Sequence, residues 1–174
     1  MKKKVAIISS IAITLIIIVT IFICFKNKDK DIPFEELNKY SEVEDIKFEK
    51  NKVNVYFFWG EGCPHCKAEY EFLESVYKKY YKNINIYSLE VWDNSSNSLL
   101  MSKFLYKLDD DSITPGVPLL VVGDEVLSGF YLGELENDSK NEVEQIIKRQ
   151  IKKQVKQKNK YDIYKLIKGE ENER

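Results

Sequence analysis

Cys63-Pro64-His65-Cys66 carries the most legible chemistry in this sequence. Two thiols at this spacing sit where a strand-like run, Val53 to Trp59, gives way to a helix-like one, Cys63 to Tyr81. That junction makes a redox-active dithiol. The thiolate is the reactive form of cysteine, and a helix start favours it. First-turn N–H groups lack helical partners and are expected to point at the Cys63 sulfur. The helix dipole adds about half a positive charge there. Together these effects lower a Cys-X-X-Cys thiol from ~8.5 toward ~3.5–7.5. Pro64 suits the first helical position, where a missing N–H costs nothing. Cys66 lies one turn further in. It is expected to be less exposed and to act second, resolving a mixed disulfide between Cys63 and a substrate.

His65 stands between the two cysteines. As an imidazolium or an N–H donor it would further favour the Cys63 thiolate; otherwise it is a plain exposed helix residue. A stabilised thiolate stabilises the reduced protein, so the oxidised protein becomes the stronger oxidant. Zinc is the other use of a close cysteine pair, but structural zinc usually takes four ligands. His65 is the only histidine, and Cys24 lies in an apolar run. No metal site and no cofactor are expected.

The elements that must position this pair follow from periodicity. Val53 to Trp59 is aromatic and β-branched, as a buried strand is. The following helix has an inner stripe of Ala68, Phe72, Leu73, Val76 and Tyr80. Ile84 to Val91 reads as a second strand. Asn94 to Leu108 reads as a helix, with Leu100, Phe104 and Leu108 at four-residue steps. Leu119–Val122 and Glu125–Phe130 flank Gly123-Asp124 as a hairpin. Ser139 and Glu142 form a capping-box pattern opening a last helix through Val155. Ile46-Lys47-Phe48 is expected as a brief edge strand, and Ile32 to Val43 as a short helix. The order is an α/β fold with a central mixed β-sheet flanked by helices.

The chain has 174 residues and a formal net charge of -1. That balance gives no electrostatic case for nucleic acid or an acidic partner. Val5 to Phe25 is uncharged and follows Lys2, Lys3 and Lys4. As a helix it would span about 31 Å, close to the ~30 Å hydrocarbon core of a bilayer. Ile23 before Cys24 is no lipobox, and no small residues mark a cleavage point, so an uncleaved transmembrane helix is expected. The basic start favours an N-terminus in the cytoplasm, with the bulk of the chain outside, where disulfides persist. The expected domains are an anchor at 1–25, a linker and short helix at 26–44, a folded domain at 45–156 and a polar tail at 157–174. The lysine-rich stretch from Lys148 to Lys156 reads as a solvated helix face.

Phe57-Phe58-Trp59-Gly60-Glu61-Gly62-Cys63-Pro64-His65-Cys66 resembles the active-site segment of the thioredoxin superfamily. Gly116-Val117-Pro118 before a hydrophobic hairpin resembles that family's cis-proline loop. The Pro-His pair and Val117 match the DsbA-type disulfide oxidases, although Trp92 to Ile113 is too short for their helical domain. The resemblance covers roughly residues 45 to 156. It implies a thioredoxin-like fold, catalysis by Cys63 and Cys66 and a cis Pro118 against the dithiol. Val117 would offer its backbone to an extended substrate peptide. Trp59 matches a family aromatic packed near the site and could equally be plain core. Many thioredoxins keep a buried acid where Phe57 stands, so the Cys66 proton is expected to leave through water or another carboxylate.

The function expected is thiol–disulfide exchange outside the cytoplasm with cysteine-containing exported proteins, in the oxidising direction. A membrane or extracytoplasmic redox partner would recycle the dithiol. The alternatives are a membrane-tethered reductant, serving cytochrome maturation or peptide export, and a non-catalytic peptide-binding module.

Overall fold

The computed structural model describes residues 41–49, 52–110, 113–157 and 162–172. The expected anchor with Cys24, and the linker and short helix as far as residue 40, lie outside them. Among the described residues no helix is long and apolar enough to cross a membrane.

Four strands form one sheet: β1 (Val53–Trp59), β2 (Ile84–Glu90), β3 (Leu119–Val122) and β4 (Glu125–Ser128). Their order is β2-β1-β3-β4. β1 runs parallel to β2 and antiparallel to β3, and β3 pairs antiparallel with β4. The helices are α1 (Pro64–Tyr80), α2 (Ser95–Leu108), α3 (Glu136–Gln157) and α4 (Ile163–Asn172). This is the central mixed β-sheet flanked by helices expected from the sequence.

Each sheet face has its own core. Val55, Phe57, Ile84 and Leu120 pack with Leu73 and Val76 of α1 and with Ile146 and Ile147 of α3. Tyr56, Phe58, Leu89 and Leu119 pack with Leu100 and Phe104 of α2 and with Ile163, Tyr164 and Ile167 of α4. β1 is therefore covered on both faces, which is why its sequence runs apolar without alternating.

Four expectations are corrected. Residues 157–174 are not simply a polar tail, because α4 plants Ile163, Tyr164 and Ile167 in the core. Asp162 explains the docking. Its carboxylate accepts the Tyr56 hydroxyl at 2.8 Å and the Tyr164 N–H at 3.1 Å, and both Asp162 and Tyr56 are buried. The Ile163 N–H donates to the Gly123 carbonyl at 3.0 Å. Ile46 to Phe48 is no strand. The Tyr87 hydroxyl accepts the Lys47 N–H and donates to the Lys47 carbonyl, satisfying the backbone groups that a ladder would use. Val43–Asp45 is a short 3-10 turn, not the end of a helix. Ser139 is no helix cap, since α3 already begins at Glu136 and the Ser139 hydroxyl instead accepts the Tyr131 N–H at 3.0 Å.

Asp162→Ala leaves a buried Tyr56 hydroxyl without its acceptor and removes a first-turn acceptor from α4. A loss of about 1–3 kcal/mol is expected, read as a lower urea midpoint. An unchanged midpoint would show that α4 is held without this carboxylate.

Candidate functional site

Cys63 caps α1 with extended backbone angles (φ -76°, ψ 115°), and Pro64 is the first helical residue. The Cys66 N–H donates to the Cys63 sulfur at 3.2 Å. One orphan donor of the helix start thus faces the outer cysteine. A disulfide joins Cys63 and Cys66, whose Cα atoms are 5.2 Å apart. Cys66 is 2% exposed, whereas Cys63 is only partly buried. That difference in access makes Cys63 the sulfur an incoming thiol can reach.

The approach to the cap is fixed by two glycines and one carboxylate. Gly62 has φ +77°, a conformation that disfavours a side chain. Gly60 lies against the Trp92 indole so closely that an added Cβ would meet the ring at 2.3 Å. Glu90, at the end of β2, accepts the N–H groups of Trp92 (2.8 Å), Asp93 (2.9 Å) and Asn94 (3.1 Å). It also takes the Glu61 N–H. Burial opposes its ionisation, but these four N–H groups outweigh burial and hold the carboxyl below its ordinary range. One anion therefore ties the loop before Cys63 to the loop after β2. The sequence reading missed Glu90. Its signal was the acid at the end of β2, the one charged residue of that strand.

The second half of the site comes from β3. Phe58 pairs with Leu119, so the residue before Leu119 arrives where β1 ends and the Cys63 loop begins. That residue is Pro118, and the Val117–Pro118 bond is cis. Trp59, Cys63 and Val117 all pack against the core cluster that holds Cys66. Trp59 is half-buried and also lines a cavity beside the dithiol.

His65 departs from the simplest expectation. Its Nδ1 bonds to the Phe130 carbonyl at 2.7 Å. A carbonyl only accepts, so Nδ1 carries the proton. The ring thus ties the start of α1 to the segment after β4.

Phe57 is buried and packs against Tyr70, with ring centroids 6.3 Å apart. The buried acid lies elsewhere. Glu69, three residues after Cys66 in α1, is 1% exposed. Burial pushes its carboxyl from the ordinary 4.5 up to about 8. It is therefore protonated at neutral pH and ready to ionise slightly above it. Cys66, Glu69, Leu73 and Val76 are the buried residues of α1. Of the expected inner stripe, Leu73 and Val76 are buried while Ala68, Phe72 and Tyr80 are half-buried, and an acid was not expected among the buried residues.

No family model and no curated protein matches the chain. Among solved structures, it is similar to an uncharacterized thioredoxin-like protein from Clostridium perfringens. The identity there is 21%, covering 70% of this chain and 90% of that one, with a TM-score of 0.45. It is also similar to thioredoxin from Trypanosoma brucei brucei, at 18% identity over 63% of this chain and 88% of that one, with a TM-score of 0.40.

Glu69 sets a pH dependence with a definite sign. Its carboxyl is raised in the folded state, so it favours folding fully below about 4.5, and that contribution is lost as pH rises through about 8. Glu69→Gln keeps the shape without the charge. Between pH 5 and 8 the wild type should lose stability more steeply than this variant, by up to about 1.4 kcal/mol per pH unit. Urea unfolding at several pH values measures it. Parallel curves would mean that Glu69 is not held neutral by burial.

Proposed function

We propose that this chain is a thiol–disulfide oxidoreductase working outside the cytoplasm, tethered by Val5 to Phe25, and that it donates its disulfide to exported proteins. The observation that carries the reading is the Cys66 N–H on the Cys63 sulfur at 3.2 Å. A sulfur at that position is stabilised as a thiolate, which makes it a good leaving group and the oxidised pair a strong acceptor of electrons.

The reaction balances in two exchanges. A substrate thiolate attacks Cys63, forming a mixed disulfide and releasing Cys66 as the thiolate. A second substrate thiolate attacks the substrate sulfur of that mixed disulfide. The substrate leaves with a new disulfide, and Cys63 leaves as the thiolate. Two electrons have then passed from substrate to protein, and a redox partner bearing a disulfide must take them back. Glu69, one turn along the same buried face as Cys66, supplies the proton that neutralises the released Cys66 thiolate and takes it back on reoxidation. Val117 and Pro118 receive the substrate backbone on the β3 side.

A trap in intact cells tests chemistry and location together. Cys66→Ala should accumulate mixed disulfides through Cys63 with cysteine-containing exported proteins, and Cys63→Ala should accumulate none. Electrophoresis with and without reductant separates them. No adducts in the first variant would contradict the exchange reading, and adducts confined to cytoplasmic proteins would contradict the location.

A further inference from the structure

A cavity of about 490 Å³ opens beside the dithiol. Phe57 and Trp59 of β1, Ser88 of β2, Tyr70 of α1 and both cysteines line it. Phe57 and Ser88 are register partners across β1 and β2. In the strand order β2-β1-β3-β4, the cavity therefore lies on the β2 side of β1. Pro118 enters from β3, on the opposite side. The two sulfurs stand between two separate approaches.

We propose that this cavity is a second substrate subsite, which takes a bulky apolar side chain next to the reacting cysteine of a polypeptide. The inference rests on the exchange reading above and adds the substrate class. The volume falls within the ~300–1,000 Å³ of sites that enclose ligands, and three aromatic side chains among its walls suit an apolar occupant. Phe57 makes the floor apolar where a buried acid would have made it polar. Both cysteines line the same space, so whatever fills it is held beside the dithiol.

Apolar surface continuing beyond the cavity favours a polypeptide over a small thiol. Trp92 lies on Gly60, itself part of the cavity wall, yet is 59% exposed. Beyond His65 and its bond to the Phe130 carbonyl, Tyr131 is 62% exposed and Leu135 is 52% exposed. Exposed apolar side chains thus flank the dithiol on both sides. An extended segment with several apolar residues can use all of them, whereas a small polar thiol can use none.

The test uses the full chain and two reduced peptides. Each carries a cysteine pair, and they differ only in having Phe or Ser beside the first cysteine. The wild type should oxidise the Phe peptide at least ~10-fold faster, the scale of placing one large apolar group in a fitting pocket. Ser88→Leu, which fills the cavity from the β2 side, and Tyr70→Ala, which removes a wall, should each bring the ratio toward one. A ratio within one variant is insensitive to how much of that variant folds. Equal rates in the wild type, or a preference that survives both variants, would overturn the subsite alone. A free small dithiol oxidised as fast as the Phe peptide, and slowed by Ser88→Leu, would make the cavity a small-molecule site and overturn the proposal. A wild type that oxidises neither peptide nor any dithiol would overturn the exchange reading, and the subsite with it.

Discussion

Cys63 sits one residue ahead of the first helical turn, with its sulfur accepting the Cys66 N–H at 3.2 Å. Everything chemical in this molecule depends on that contact and on the dipole behind it. The rest of the fold holds a helix start, and therefore a partial positive charge, against one sulfur that solvent can reach. Burial of Cys66 completes the asymmetry by leaving Cys63 as the sulfur that is attacked and Cys66 as the one released.

Holding that helix start requires constraint from several directions. β1 is covered on both faces, so its end is fixed in position. Glu90 gathers N–H groups from the loops on either side of it. His65 pins the first turn of α1 to the Phe130 carbonyl, and the antiparallel register of β3 delivers cis Pro118 to the same end of the sheet. Glu90 and His65 are polar contacts made by residues that an apolar pattern would overlook. They position the site through backbone groups of neighbouring segments.

The legible parts were those governed by periodicity and local rules. The strands, the helix after Cys63 and the cap itself follow from apolar spacing, Pro64 and the orphan donors of a helix start. What stayed hidden depends on contacts between distant residues. Asp162 and Tyr56 are 106 positions apart, and only folding shows that they anchor α4. Glu69 and Glu90 drew no expectation, because a sequence does not say which carboxyl is enclosed and which is paired with backbone. Ser139 misled because its local pattern imitates a cap, while the chain had already entered the helix at Glu136.

The most direct test is the ionisation of Cys63 in the reduced protein, followed by its rate of alkylation across a pH series. Stabilisation by the helix start predicts a midpoint in the ~3.5–7.5 range of capped Cys-X-X-Cys thiols. A midpoint at or above the ~8.5 of an ordinary cysteine would mean that the helix start does not activate the sulfur.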